Sequence, residues 1–181
     1  VNKKANIASV TFQGCYIHDI ECSGGDFIDF RAGIAQKFTF KNNTVDNCAA
    51  ARDFFRMDAG GATNFPGVTS DIKITNNTLN NVANNASKRV LYIRLGEQAL
   101  ITFSNNVVSN TLGYYTNQST TNIVAMEKNN YFNAPGFYSS EVAKAYLDAS
   151  GNYTTLDPKY TDGFTITNED LVYGNIGNIP N

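Results

Sequence analysis

Short stretches of alternating apolar and polar residues recur along the chain, and a pair of turn-forming residues follows each of them. Asparagine pairs stand at positions 42–43, 76–77, 105–106 and 129–130, and Gly14 with Cys15 forms a degenerate first copy. Counted from the first residue of each pair, the intervals are 28, 34, 29 and 24 residues. Alternation with a period of two predicts strands, and a repeat of this variable length indicates stacked β-rich units.

The asparagine pairs explain how each unit turns its corner. Asparagine is among the few residues other than glycine that adopt the left-handed backbone conformation of a sharp turn, and its amide hydrogen-bonds to neighbouring turns. Parallel strands stack about 4.8 Å apart, so we expect Asn43, Asn77 and Asn106 to form a ladder, with Cys15 in the same position of the first unit. The pattern therefore predicts an all-β fold, a parallel β-helix (solenoid) of about four to five coils.

The strand after each asparagine turn has one apolar and one polar column. The inward column is apolar in every unit: Ile17, Val45, Leu79, Val108 and Phe132. The outward column is polar: His18, Asp46, Asn80, Ser109 and Asn133. His18 is therefore expected to face solvent rather than to catalyse a reaction. Cys48 falls in a further core column with Ile20 and Val82, which favours a buried thiol over a reactive one.

A charged block recurs in the first three units and predicts a third strand in each. Aligned on the glycines at 33, 60 and 96, the inward columns are Ile28, Phe55, Leu91 and Phe30, Met57, Ile93. The outward columns are Asp29, Arg56, Tyr92 and Arg31, Asp58, Arg94. A Gly/Pro-rich loop over 59–70 and a bulge over 83–89 flank the same face. Loops that crowd one face of a rigid scaffold are where functional sites usually lie.

The repeat changes after residue 135. Ser139 to Glu141 precede an apolar run, which predicts an N-capped helix over 142–147 that Gly151 closes. Strand-like pieces at 164–166 and 171–173 follow. We therefore expect β-helix coils over 1–135 and a helix with a capping segment over 136–181. The chain begins almost inside a strand, and we expect further coils or another module to precede it.

Composition narrows the classes of partner. The 181 residues are 42% hydrophobic and carry a net charge of −2, with 25 asparagines and no tryptophan. This charge balance does not favour a nucleic-acid groove or an anionic membrane surface, and no apolar run of 18 residues predicts a transmembrane helix. The three cysteines are too few and too irregularly spaced for a disulfide framework or a zinc site.

The repeats resemble the pectate-lyase-like right-handed β-helix superfamily, in which an asparagine ladder lines the turn between the second and third strands of each coil. Three motifs, Asn-Asn-Thr-Val-Asp-Asn at 42–47, Arg-Asp-Phe-Phe-Arg-Met-Asp at 52–58 and Leu-Asp-Pro-Lys-Tyr at 156–160, more narrowly resemble uncharacterised C-terminal β-helix domains of bacterial polysaccharide-utilisation proteins, often described as polysaccharide lyases. The resemblance implies a right-handed helix, a secreted, periplasmic or cell-surface location, and an acidic polysaccharide as partner.

A uronate lyase must neutralise the sugar carboxylate, remove the adjacent proton and stabilise the enolate. Arg and Lys suit the first role, and Lys, Tyr or an unusual Arg suits the second. The catalytic candidates are Arg56, Tyr92, Arg94 and Lys88. The substrate-binding candidates are Arg31, Arg89, Asp29 and Asp58. No cofactor is required, although calcium remains an option through Asp26, Asp29, Asp53 and Asp58.

Other interpretations of the charged columns stay open. Asp and Arg alternate up the stack, which is also the pattern of a structural ion-pair ladder, and a guanidinium that stays protonated is a poor base. A hydrolase needs two opposed carboxylates, and Asp29 with Asp58 is the nearest outward pair, without an evident acid. The alternative to a lyase is a non-catalytic surface-structural, adhesin or glycan-binding module. A trimeric tailspike-like adhesin is less favoured because of the predicted helical cap.

Overall fold

The computed structural model describes residues 4–22, 24–117, 123–137 and 153–179. Within these ranges the chain is mostly β-structure, and its strands form three sheets in which every pairing is parallel. The expectation of an all-β fold with parallel strands is confirmed.

The first sheet contains β1 (Asn6–Gln13), β4 (Ile34–Lys41), β7 (Ser70–Thr75), β10 (Ala99–Ser104) and β13 (Ile123–Ala125). The second sheet contains β2 (Tyr16–His18), β5 (Thr44–Cys48), β8 (Thr78–Val82), β11 (Val107–Ser109), β14 (Asn129–Phe132) and β15 (Tyr153–Thr154). The third sheet contains β3 (Ile28–Phe30), β6 (Asp53–Met57), β9 (Arg89–Ile93) and β12 (Tyr114–Asn117).

The strands from β1 to β14 enter the three sheets in a fixed order, and each strand in β1 to β11 pairs with the strand three places further along the chain, whereas β15 joins β14 in the second sheet. Strands three places apart are hydrogen-bonded neighbours, as in the pairing of Phe12 with Phe40 and of Val45 with Leu79. The predicted division of each unit into three strands is therefore confirmed for these repeats.

The helical segments of the described residues are short. They are the α-helices α1 (Ala59–Asn64) and α2 (Glu169–Tyr173) and the 3-10 helices Gly96–Gln98, Pro135–Phe137 and Asp162–Phe164. None of the helices over the described ranges is both long and apolar enough to cross a membrane.

The core lies between the three sheets and is filled by side chains from all of them. Phe38, Phe40, Phe54 and Phe55 are fully buried and meet mostly edge to face, with ring centroids 4.6 to 6.5 Å apart. Such aromatic pairs stabilise a core beyond the area that they bury. Cys48 is also fully buried beside Val82, as predicted, whereas Ile20 is exposed at the first coil.

The predicted asparagine ladder is confirmed at the turn between the first and second sheets. The Oδ1 atom of Asn77 accepts from the backbone N–H of Asn43 at 2.9 Å and from its Nδ2 at 3.1 Å. Asn106 accepts in the same way from Asn77, and the backbone N–H of Cys15 donates to Asn43 at 2.9 Å. Each amide also donates to a carbonyl of the preceding first-sheet strand, as Asn77 does to Phe40. The buried amides are therefore hydrogen-bonded along the stack.

The alignment of the last repeat is wrong by one residue. Asn129, not Asn130, accepts from Asn106 on the ladder, because Lys128 takes the left-handed corner with a φ of 53°. Val108 consequently pairs with Tyr131, which is the buried inward residue, and Phe132 takes the outward position expected for Asn133.

A second left-handed corner follows the second sheet in every repeat, and the sequence analysis did not predict it. The corner residues have φ between 48° and 54°: Asp19, Asn47, Asn81, Asn110 and Asn133. Their side chains form a partial outer ladder, in which Asn47 donates to Asp19 and Asn81 donates to Asn47.

The C-terminal segment packs against the outer face of the second sheet. Its apolar side chains Ile166 and Leu171 cover Val107 and form a small second core. The strands expected at 164–166 and 171–173 are wrong. The first stretch begins with the last residue of the 3-10 helix Asp162–Phe164, and the second lies in α2, which Asn168 caps. The helix predicted over 142–147 lies outside the described residues.

This segment buries polar positions that were expected to face solvent. The Tyr160 and Ser109 hydroxyls lie 2.6 Å apart, and Ser109 also donates to Asn80 at 2.9 Å. Asn80 and Ser109 are buried as a result, and burial raises the pKa of Tyr160. Further along, Asn178 donates to the Thr44 hydroxyl in the second coil. The segment therefore spans several coils of the sheet.

Candidate functional site

The charged columns lie on the outer face of the third sheet, in the predicted register. Asp29 pairs with Arg56 and Arg56 with Tyr92, while Ile28, Phe55 and Leu91 form the buried column beside them. One position of each strand therefore anchors it in the core and the next presents a functional group outward.

The second outward column continues just beyond the strands. The backbone N–H of Asp58 donates to the Phe30 carbonyl, and that of Arg94 donates to the Met57 carbonyl, both at 2.8 Å. These bonds keep Arg31, Asp58 and Arg94 in successive coils of the stack. We call this set the Arg31–Asp58–Arg94 column.

Two aspartates whose side chains are 0% exposed hold the arginines from beneath. Asp26 accepts from Arg31 at 2.7 Å and from Arg52 at 3.1 Å, and it lies 3.4 Å from Arg56. The carboxylate therefore joins arginines from two coils. Fully buried carboxylates are tolerated where several charged donors surround them.

Asp53 and Asp58 complete the network. Asp53 accepts from Arg89 at 2.5 and 2.9 Å and from Arg56 at 3.3 Å. Asp58 accepts from Arg56 through Nη2 at 2.6 Å and Nε at 3.2 Å, and it lies 3.4 Å from Arg94. Arg56 thus touches three carboxylates and is the most buried arginine of the network.

The arginines keep these carboxylates ionised. Burial raises the pKa of Asp26, but hydrogen bonds from Arg52 and Arg31 outweigh it and leave the pKa below its ordinary value. Burial also raises the pKa of Asp58, and the hydrogen bonds from Arg56 and from the Ala59 backbone again lower it overall. The network is therefore a set of fixed charges at neutral pH.

These depressed pKa values predict acid sensitivity. A carboxyl group whose pKa is lower in the folded state stabilises the fold above its unfolded pKa of about 3.9, and this contribution is lost as the pH falls through the folded pKa. We expect the free energy of unfolding to drop steeply below about pH 4 and less steeply in Asp26→Asn. Urea unfolding at pH 3, 5 and 7 measures this, and equal losses in both proteins between pH 5 and pH 3 would contradict the assignment.

Tyr92 lies beneath the arginines rather than on top of them. Only 8% of the residue is exposed, and the Arg89 guanidinium lies 3.7 Å from the centroid of its ring. Arg94 donates to the Tyr92 hydroxyl at 2.7 Å. The ring therefore supports two guanidinium groups through cation–π contact and a hydrogen bond, and its face is not open to a sugar.

The loop predicted over 59–70 contains α1 and follows directly after Asp58 of the Arg31–Asp58–Arg94 column. Asp58 caps this helix, since its Oδ1 accepts from the Ala59 N–H at 2.8 Å. A Cβ on Gly60 would overlap the Arg31 carbonyl oxygen, so glycine permits the close approach of α1 to the first coil. From the next coil, Gln98 donates to the carbonyls of Phe65 and Val68 and holds the end of the loop.

The comparisons with protein families divide the chain into two matched segments. The family model described as Domain of unknown function (DUF5123) matches residues 72–179, more than half of the chain. The chain belongs to the DUF5123 family. A second model, Domain of unknown function (DUF4957), matches residues 1–48. No curated protein and no solved structure matches the chain.

The DUF5123 segment supplies only part of the site. It contains Arg89, Tyr92 and Arg94, whereas Arg31 falls in the DUF4957 segment. Arg56 and Asp58 lie between the two matched segments. The parallel pairing of β3, β6 and β9 therefore brings together residues that are separated in the family matches.

Seven of the eight predicted site residues come together: Arg56, Tyr92, Arg94, Arg31, Arg89, Asp29 and Asp58. Lys88 is the exception, since its ammonium donates to the Ala50 carbonyl at 2.8 Å. Across the described parts of the chain, no ion pair joins Lys88 to the aspartates of the network.

Arg52 was not among the predicted site residues, and Asp26 and Asp53 were expected only as calcium ligands. In the structure both carboxylates bind arginines. No group of three or more His, Cys, Asp or Glu side chains over the described ranges is arranged to hold a metal ion. The glycine alignment places Asp26, Asp53 and Arg89 in one column, so the pairing of Asp53 with Arg89 was available from it. The arginines that bind Asp26 lie outside that column, and the alignment could not reveal them.

Proposed function

We propose that the chain is an extracellular right-handed parallel β-helix of the pectate-lyase-like type that binds an acidic polysaccharide on the outer face of its third sheet. The observation that carries the proposal is the arrangement of charge on that face. The carboxylates of Asp26 and Asp53 are fully covered, whereas the arginines that bind them reach solvent.

The repeating order of three parallel sheets and the buried asparagine ladder support the β-helix interpretation. In such a solenoid the outer face of each sheet is a regular surface with one rung about every 4.8 Å. An extended polymer lying along the stack meets the same kind of group at regular intervals.

The charge balance of the face favours an anionic ligand. Five arginines (Arg31, Arg52, Arg56, Arg89 and Arg94) surround four aspartates (Asp26, Asp29, Asp53 and Asp58), which leaves one net positive charge. The side chains of Arg31, Arg52 and Arg94 are 39%, 41% and 32% exposed, whereas Asp26 and Asp53 are fully covered. A ligand that approaches the face therefore meets guanidinium groups first.

The ion pairs also hold the arginines in place before a ligand arrives. An arginine whose side chain is already ordered loses less conformational entropy on binding, and the planar guanidinium matches a carboxylate through two hydrogen bonds. The chain as a whole carries a charge of −2, which does not favour a nucleic-acid partner, because nucleic-acid binding depends on an extended basic surface. Acidic sugars are the polymer class that suits this local patch.

Binding of a uronate polymer to the wild type and to Arg31→Ala/Arg94→Ala tests the proposal. By isothermal titration calorimetry with hyaluronan and with polygalacturonate, we expect the wild type to bind at least one polymer. We expect the double variant to lose at least about tenfold in affinity, since each arginine provides charge-assisted hydrogen bonds.

The matched control is Lys37→Ala/Lys41→Ala, which removes two positive charges from exposed positions of β4 in the first sheet. This variant is expected to retain the wild-type affinity. An equal loss in both double variants would show that the polymer responds only to net charge, and unchanged affinity in Arg31→Ala/Arg94→Ala would remove the binding site from this face.

A lyase activity is the second candidate function, favoured by the 2.7 Å hydrogen bond from Arg94 to the Tyr92 hydroxyl. An arginine beside a tyrosine supplies a carboxylate-neutralising group and a proton-transfer group in one place. β-Elimination produces an unsaturated sugar that absorbs ultraviolet light. A rise in absorbance with the wild type that is lost in Tyr92→Phe would support the lyase, and no rise during incubation with bound polymer would leave binding as the function.

A further inference from the structure

The Arg31–Asp58–Arg94 column does not present the same charge at each coil. Arg31 and Arg94 stand at its two ends, and Asp58 occupies the coil between them. The two arginine positions are therefore two strand spacings apart, or roughly 10 Å. This distance is about the length of one disaccharide in an extended glycan.

The two end arginines retain hydrogen-bond donors for a ligand. Arg31 uses Nε and Nη2 on Asp29 and Asp26, and Arg94 uses Nη1 on Tyr92 and Asp58. Within the part of the chain that the structure describes, no hydrogen bond occupies Arg31 Nη1 or Arg94 Nη2, and the buried Arg94 Nε has no partner. Each end of the column can therefore donate to an added carboxylate.

Among the described residues, the middle position of the column offers no such donor; Arg52 of the same repeat precedes β6, outside the column, and binds Asp26. Arg56 directs both Nε and Nη2 at Asp58 and its Nη1 at Asp53 and Asp26. Asp58 is itself held by Arg56, by Arg94 and by the N–H of Ala59. A carboxylate at this level would lie against Asp58 without a free cation to bind, which is unfavourable.

We infer that the column recognises a polysaccharide in which uronate residues alternate with uncharged residues, and that Asp58 is the residue that rejects a polymer with a carboxylate on every sugar. This inference rests on the proposed function, because it assumes that an acidic glycan lies along this face. Beyond that function, the inference specifies the spacing of carboxylates along the ligand and names Asp58 as the residue that discriminates between polymers.

Binding of two polymers to the wild type and to Asp58→Asn tests the inference. Hyaluronan carries one carboxylate per disaccharide, and polygalacturonate carries one per sugar. At equal carboxylate concentration and equal salt, we expect the wild type to bind hyaluronan at least about fivefold more tightly. Asp58→Asn releases Arg56 from its closest partner, so we expect polygalacturonate to gain affinity and the preference to fall to about one or to reverse.

Two controls keep the result interpretable. Asparagine caps a helix as well as aspartate does, so Asp58→Asn is expected to keep α1, and Asp58→Ser provides a second capping variant with the same loss of charge. Asp71→Asn removes a carboxylate from an ion pair with Lys73 on β7 of the first sheet. It is expected to leave the preference unchanged.

The possible outcomes separate the two proposals. A wild type that binds polygalacturonate as tightly as hyaluronan, or tighter, overturns the inference and leaves acidic-glycan binding intact. A preference for hyaluronan that persists in both Asp58 variants also overturns it, because selection would then lie elsewhere. A wild type that binds neither polymer overturns the inference and the proposed function together.

Discussion

Asn77→Ala is expected to destabilise the fold by on the order of 3–5 kcal/mol, because each unsatisfied buried polar group costs about 1–3 kcal/mol. Asn77 is fully buried, and its amide links both neighbouring rungs. Its loss leaves the backbone N–H of Asn43 without its acceptor and removes the donor to the Phe40 carbonyl. Urea unfolding followed by circular dichroism measures the change.

The matched control for this prediction is Asn6→Ala. Asn6 is an exposed residue of β1 whose side chain, among the described residues, accepts a hydrogen bond from Gln36 alone, so we expect a change within about 0.5 kcal/mol. A free energy of unfolding for Asn77→Ala that matches the control would show that the ladder contributes little to stability.

Leu79→Ala is expected to cost about 2–5 kcal/mol, the range for removing a large aliphatic side chain from a packed core. Leu79 is fully buried in β8 and pairs with Val45 on one side and Val108 on the other. The neighbouring strands are hydrogen-bonded on both sides, so they cannot collapse into the cavity. Chemical denaturation gives the global effect, and amide exchange detects loss of single coils, which stacked repeats permit.

Leu100→Ala makes the same substitution at a position of β10 that is 43% exposed. We expect it to be nearly neutral. If Leu79→Ala and Leu100→Ala unfold at the same urea concentration, the assignment of Leu79 to a tightly packed core column is incorrect.

Much of the fold could be predicted because the repeats constrain one another. A strand has a side-chain period of two, so once the asparagine turns align, every inward residue follows. The predicted strand register was wrong only in the last repeat, where the corner residue is not asparagine. Lys128 occupies a left-handed corner that asparagine takes in the three preceding coils, so counting from Asn129 and Asn130 shifted the last repeat by one residue.

The path of the C-terminal segment could not be predicted from its own pattern. Ile166 and Leu171 are the buried apolar residues of this segment, and their partner Val107 is an outward residue of a strand far from them in the sequence. A single-sequence pattern identifies which residues are apolar but not which outer face they cover. The burial of Asn80 and Ser109 beneath this segment is therefore seen in the structure and could not be predicted from the sequence.

The sequence predicted which site residues share a column of the third sheet, but it did not predict which arginines bind which carboxylates. The glycine alignment predicted that Asp29, Arg56 and Tyr92 share one column, and this is confirmed. Guanidinium groups, however, reach several ångströms from their backbone and bind carboxylates outside their own column. Asp26 therefore became the partner of Arg52, a contact for which the sequence gave no register.

Hydrogen–deuterium exchange of the wild type, with and without a saturating uronate polymer, tests most directly whether the arginine face is the binding surface. The account predicts slower exchange in peptides that cover residues 26–31, 52–64 and 88–94, with the first-sheet strands unchanged. Protection confined to the first sheet, or the absence of protection in all three peptides while the polymer is bound, would contradict it.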